Sequence, residues 1–109
     1  MGVASAFAKA HGCILVLKGH RTVTAAPDGR ALVNTTGNSG LAKGGSGDVL
    51  TGMIASLLAQ GAAPMEAAAG GVWIHGYAGD LTAQKLTEYA MTPEDVLAAL
   101  PEVFRELKT

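Results

Sequence analysis

The residues best placed to do chemistry lie in one stretch, Gly44-Gly45-Ser46-Gly47-Asp48-Val49-Leu50-Thr51-Gly52. Glycines that run into a helix let successive backbone N–H groups converge on one point without Cβ obstruction. The partial positive charge of the helix N-terminus adds to them, so the stretch reads as a site for an anion or a phosphate. Asp48 is out of place in such a site, because a carboxylate at its mouth repels the ligand. It fits if it serves chemistry at the transferred group. As general base it takes the proton from a hydroxyl that attacks a phosphoryl group, while the amides hold the developing charge. The competing reading is a helix cap in a glycine turn, since short glycine motifs recur by chance. Two common phosphate motifs are excluded. No Gly-Lys-Ser/Thr follows at Walker A spacing, and Leu50 stands where the dinucleotide fingerprint needs its third glycine.

A helix must follow this stretch to position Asp48. Val49, Leu50, Met53, Ile54, Leu57 and Leu58 recur at three-to-four spacing from Asp48 onward, and Gly61 ends the pattern. Upstream, Val3 to His11 is Ala-rich and helix-permissive, with Gly12 as its stop. Ile14 to Leu17 is apolar on both faces and too short for a helix, which predicts a central strand of a parallel sheet. Thr22 to Ala25 and Arg30 to Val33 flank Pro27-Asp28-Gly29, the residues of a tight turn, and together predict a half-exposed hairpin at the sheet edge.

Downstream, a second helix opens at Pro64 and runs past Trp73, Ile74, Tyr77 and Leu81, with a break near Gly79. A last helix has Thr92 as N-cap, with Pro93 in its first turn and Asp95 three residues on. Its buried stripe is Val96, Leu97, Leu100, Val103, Phe104 and Leu107, and Pro101 inside it predicts a kink or a restart.

Composition narrows the classes. The chain has 109 residues, 8 basic and 9 acidic, for a formal charge of −1, which argues against a nucleic-acid binder and a polybasic membrane-surface protein. With 49% hydrophobic and 16% charged residues it is not disordered by composition. Aromatics reach only 5% against 20 alanines and 15 glycines, so the core must pack small side chains at close backbone range, as helix-on-sheet layers do. The single cysteine, Cys13, excludes an internal disulfide and reads as a small buried thiol. No apolar run approaches the ~20 residues of a membrane span, and Met1 to Ala10 lacks the marks of a signal peptide, so a cytoplasmic location is expected. Three apolar helix faces exceed what one strand and a hairpin can cover. The chain is therefore expected to be the C-terminal part of a larger α/β domain, or to be completed by a partner.

The motifs taken together resemble one family. Asn34-Thr-Thr-Gly-Asn38, then Gly40-Leu-Ala-Lys-Gly-Gly-Ser-Gly-Asp-Val-Leu-Thr-Gly52, is similar to the signature of the ADP/ATP-dependent NAD(P)H-hydrate dehydratases, a branch of the ribokinase-like superfamily. Leu17-Lys18-Gly19, Ala26-Pro27-Asp28-Gly29 and His75-Gly76-x-Ala78-Gly79-Asp80 extend the resemblance. It implies that residues 1–109 are the C-terminal portion of one ribokinase-like three-layer domain, more than twice this length when whole. It implies that Lys18, Gly19, His20, Arg21 and Thr22 line an adenine-nucleotide site, joined by Gly44, Gly45, Ser46 and Gly47. Asp48 is then the catalytic base facing the hydrated substrate, with Asn38 on the substrate side.

The implied partners are hydrated NADH or NADPH and ADP or ATP. Mg2+ would be held mostly by phosphates and water, without dedicated protein ligands. Neither nucleic acid nor membrane is implied. The chain is expected to form a homo-oligomer or to associate with the missing N-terminal portion. Two alternatives stay open: another ribokinase-like kinase of a small alcohol, of the hydroxyethylthiazole or sugar type, and a non-catalytic nucleotide-binding fragment. Lys43 reads equally as a phosphate partner or a solvated loop lysine. Asn34 and Asn38 read first as loop organisers. His75 and Asp80 read as structural hydrogen-bonding residues, and Trp73 with Tyr77 as core or subunit interface.

Overall fold

Alanine at positions 4 and 8 lets a helix lie close on a sheet, and this contact organises the first part of the chain. The computed structural model describes residues 2–18 and 21–108. These divide into two compact units, residues 1–35 with 54–72 and residues 36–53 with 73–109.

In the first unit, helix α1 (Gly2–His11) ends where Gly12 turns left-handed and the Cys13 N–H reaches back to the Ala8 carbonyl at 3.1 Å. Strands β1 (Leu15–Leu17), β2 (Val23–Ala25) and β3 (Ala31–Val33) form a sheet in the order β1-β2-β3. Both pairings are antiparallel, with Leu15 opposite Ala25 and Ala25 opposite Ala31. Ala4 and Ala8 are fully buried against Val23 and Ala25, with Leu15 and Ala31 packed beside them.

Two expectations are corrected. Among the described residues the Leu15–Leu17 run pairs antiparallel with β2, not in parallel, and Leu17 is 44% exposed. The central and fully buried strand is instead β2, which the alternation had marked as half-exposed. An apolar run reports only that both its faces avoid water, not which strand lies beside it. Thr24, at 2% exposure, shows that a threonine between two paired strands is as readily buried as valine. Cys13 is half-buried rather than enclosed.

The β2–β3 turn is held by Asp28, which accepts the Arg30 backbone N–H at 3.0 Å and the Arg30 Nε–H at 2.8 Å. That backbone donor first, and the guanidinium after it, hold the exposed Asp28 carboxyl below its ordinary pKa. A lowered carboxyl pKa stabilises the fold at neutral pH and loses that contribution as pH falls through the lowered value. Asp28→Asn is therefore expected to lower Tm slightly at pH 7. The gap from the parent should close in acid, and thermal melts across pH check this.

In the same unit, the end of α2 (Ser46–Ala59) is closed at Gly61, with Ala62 N–H bonded to the Leu57 carbonyl at 3.1 Å. Helix α2 begins two residues before Asp48, the start expected from periodicity. Only Leu50 of its apolar face is fully buried, and Leu58 is 44% exposed.

In the second unit, α3 (Pro64–Ala90) contributes its later turns, α4 (Pro93–Ala98) follows and α5 (Leu100–Lys108) closes the chain. Thr92 and Asp95 form the expected capping box, and the chain restarts as α5 one residue before Pro101. The core is Ile74, Ala78, Met91, Val96 and Val103, with Trp73, Tyr77 and Leu81 packed on it. Trp73 and Tyr77 stack with ring centroids 5.1 Å apart. Glu106 accepts the Tyr77 hydroxyl proton and holds that phenol above its usual pKa. Leu97, Phe104 and Leu107, expected to be buried, are each about half exposed, because the inner side of α4 and α5 is already filled by Val96 and Val103. Among the described residues no helix is long and apolar enough to cross a membrane.

The break expected near Gly79 is absent, since α3 runs through it and departs from helical geometry at Thr87 (φ 70°, ψ 159°). That region is almost reserved for glycine, and holding a β-branched residue there costs about 1–3 kcal/mol. Thr87→Gly is expected to raise unfolding stability by about 1 kcal/mol, the strain relieved less the added freedom of glycine when unfolded. Urea denaturation measures it, and a loss of stability would contradict the assignment.

Candidate functional site

The candidate site is built wholly within the second unit, where a loop and a helix start are seated on one face of α3. The loop begins at Thr36, whose hydroxyl donates to the Trp73 carbonyl at 2.9 Å. Asp80 then accepts twice at 3.0 Å, from the Gly37 backbone N–H and from the Asn38 side-chain amide. The other end of Asn38 caps a single 3-10 turn (Ser39–Leu41) by accepting the Gly40 N–H at 2.9 Å. Glu88, just past the Thr87 departure, accepts the Ser39 backbone N–H at 3.0 Å and its hydroxyl proton.

Close approach makes this seating possible. A Cβ on Gly76 would run into Thr36 Oγ1, with the Thr36 carbonyl carbon 2.8 Å and the Gly37 nitrogen 3.0 Å away. Residues 75, 76, 79 and 80 share a helix face by their spacing, and they meet this loop and the helix start that follows it. That spacing was the available sequence signal for the platform.

Lys43 is not simply solvated. Its Nζ donates to the Tyr89 carbonyl at 2.9 Å and to the Met91 carbonyl, tying the loop to the end of α3. Gly45 turns left-handed (φ 94°) and delivers the chain into α2. Ser46 is 2% exposed, its N–H bonded to the Lys43 carbonyl at 3.1 Å, and its Oγ shares a hydrogen with His75 Nε2 at 3.3 Å. The Val49 N–H closes the first helical bond to Gly45 at 3.2 Å.

The amides of Gly44, Gly45, Gly47 and Asp48 have no acceptor among the described residues. Asp48 is exposed in the first turn of α2, and no side-chain or backbone donor among the described residues engages its carboxylate. A capping aspartate would accept a backbone N–H of that turn. This one does not, so the carboxylate is left for other use beside a helix N-terminus that favours negative charge.

Of the expected site residues, Asn38, Gly44, Gly45, Ser46, Gly47 and Asp48 therefore fall in this unit, and the Ser46 side chain is turned into the interior. Lys18, Arg21 and Thr22 lie in the first unit, between β1 and β2. Lys18 and Arg21 are exposed, and the Thr22 carbonyl accepts the Asn34 N–H at 2.8 Å. Gly19 and His20 lie outside the described residues. Among the described residues no three His, Cys, Asp or Glu side chains converge as a metal cage.

Comparison with known proteins decides the family. The model of the NAD(P)H-hydrate dehydratase family matches residues 1–102. The chain belongs to the NAD(P)H-hydrate dehydratases. It is 49% identical over 106 residues to the bifunctional NAD(P)H-hydrate repair enzyme of Moorella thermoacetica, covering 97% of this chain and 20% of that protein. It superposes with a TM-score of 0.92 and 36% identity on the ADP/ATP-dependent NAD(P)H-hydrate dehydratase of Bacillus subtilis co-crystallised with ATP/Mg2+, covering 96% of this chain and 38% of that one. A ribokinase-like superfamily protein from Enterococcus faecalis V583 matches with a TM-score of 0.85 and 37% identity, over 97% of this chain and 36% of that one. The expected α/β, ribokinase-like fold class holds. The chain spans a fifth to two fifths of the length of these dehydratase relatives.

Proposed function

We propose that this chain supplies the phosphate cradle and catalytic base of an ADP/ATP-dependent NAD(P)H-hydrate dehydratase, as the C-terminal part of a single ribokinase-like domain. The observation that supports it most is the set of unengaged amides at residues 44, 45, 47 and 48 next to an unengaged Asp48 carboxylate. The substrate is NADH or NADPH hydrated on the nicotinamide ring. Asp48 takes the proton of the hydrate hydroxyl as its oxygen bonds to the terminal phosphorus of the nucleotide, and the bond from that phosphorus to the leaving nucleotide oxygen breaks. The amides of Gly44, Gly45, Gly47 and Asp48 hold the charge that develops on the phosphoryl oxygens. The phosphate then leaves with its bonding electrons, water or the departing phosphate takes a proton from the adjacent ring carbon, and that C–H electron pair becomes the restored double bond.

Lys18, Gly19, His20, Arg21 and Thr22 are assigned to adenine-nucleotide binding by their match to the family motif alone. Asn38 retains one amide hydrogen for a substrate contact beyond its loop bonds. Mg2+ carried by phosphate oxygens and water would neutralise phosphate charge. The cytoplasm is the setting that fits soluble cofactors, and assembly as a homo-oligomer or with an N-terminal portion belongs to the same proposal.

The test is titration of the chain with ADP and AMP, followed by assay of hydrated NADH. Binding with turnover of the hydrate is expected. Turnover of a small alcohol but not of the hydrate would assign a small-alcohol kinase, and binding without any turnover a nucleotide-binding fragment.

A further inference from the structure

The chemistry proposed above uses the backbone of Ser46 and its neighbours, yet the two most enclosed polar side chains beside it have no part in that chemistry. Ser46 is 2% exposed and His75 5%, and Ser46 Oγ lies 3.3 Å from His75 Nε2. Ser46 is the first residue of α2, one residue before Gly47 and two before Asp48. The α3 platform offers two further fixed points on the preceding loop, the close approach at Gly76 and the double acceptor Asp80. Those points fix where the loop enters. His75 meets the helix start itself, at the residue from which the direction of the next two amides is set.

We propose that His75 is a positioning residue for the phosphoryl-transfer step, acting through the Ser46 hydroxyl to aim the Gly47 and Asp48 amides and the Asp48 carboxylate. The proposal rests on the reading of Asp48 as base. Burial explains why a histidine serves here. Its ring fills space against the platform, and its nitrogen satisfies a hydroxyl that would otherwise be enclosed without a partner. A leucine at 75 keeps the volume but abandons Ser46, whereas glutamine can still present a polar nitrogen or oxygen to it.

The test compares His75→Leu, His75→Gln, Ser46→Ala and the Ser46→Ala/His75→Leu pair in the full 109-residue chain. Amide hydrogen exchange is read at Ser46 and Val49, with Val103 in α5 as reference, alongside ADP KM and kcat for hydrated NADH. His75→Leu is expected to speed exchange at Ser46 and Val49 by about tenfold with Val103 unchanged, the mark of a local rather than a global opening. It is expected to lower kcat on the order of 100-fold, as a misplacement near 1 Å does, with ADP KM within threefold. His75→Gln should restore kcat to within roughly tenfold of the parent, and the double variant should be no worse than His75→Leu alone, since both changes remove the Ser46–His75 contact. Equal acceleration at Val103, an unchanged kcat in His75→Leu, or fully multiplicative losses in the double variant would overturn the proposal. If the parent binds no adenine nucleotide, the functional reading fails. The exchange rates at Ser46 and Val49 still decide whether His75 holds the helix start.

Discussion

Asp48→Asn is expected to lower turnover of the hydrated cofactor on the order of 1,000-fold, the scale of a lost general base, while AMP affinity stays within several-fold. The separation follows from what the residue touches. Its carboxylate is engaged by no donor among the described residues, so the amide replacement breaks no internal bond and the first turn of α2 keeps its form. The cradle amides belong to the backbone and survive the change. Removing a negative charge beside nucleotide phosphates weakens repulsion, so binding should hold or tighten. Steady-state kinetics with calorimetric titration of AMP measures both. Lost nucleotide binding with unchanged turnover would reverse the assignment of Asp48.

The second large effect concerns the platform. Gly76→Ala places a methyl group against Thr36 Oγ1, with the Thr36 carbonyl carbon at 2.8 Å and the Gly37 nitrogen at 3.0 Å. Two of these three atoms are backbone, so no rotamer change makes room and the loop itself must move. Overpacking of this kind costs about 3 kcal/mol, or roughly 15 °C in Tm for a chain of this size. The displaced loop would also lose the Asp80 bonds to Gly37 and Asn38. Gly70→Ala, six residues earlier in the same helix, meets nothing within 4 Å and should be neutral or stabilising by about 0.5–1 kcal/mol. Thermal melts of the two variants side by side check the contrast, and similar Tm values for both would refute the close approach.

Features carried by local chemistry were legible in the sequence. Gly12 as a helix stop, Asp28 with Gly29 as a turn, the Thr92–Asp95 cap and the restart at Pro101 each depend on residues a few positions apart, and all are in place. The glycine turn that leads into α2 was legible for the same reason. What distance along the chain conceals was not. Nothing local marks β1 as antiparallel, because its pairing is decided by β2 eight residues on. The tie made by Lys43 was hidden because the carbonyls that hold it lie 46 and 48 residues away. Thr87 gave no warning at all. A threonine is the wrong residue for its backbone conformation, and it is the contacts just past the departure, Glu88 with Ser39 and the Tyr89 and Met91 carbonyls with Lys43, that hold the chain there. The exposed Leu97, Phe104 and Leu107 show the limit of periodicity, which identifies an apolar stripe without saying how much of it meets a neighbour.

The meeting of main chain with main chain at Gly76 bears on how this protein can change over generations. Where two side chains collide, a smaller residue opposite can compensate, and paired substitutions keep a joint alive. At Gly76 trimming Thr36 would clear the hydroxyl and leave the carbonyl carbon and the next nitrogen where they are. Genetic suppressors of a Gly76 lesion should therefore arise elsewhere in the chain, as general stabilisers such as a change at Thr87, and not at the position it strikes.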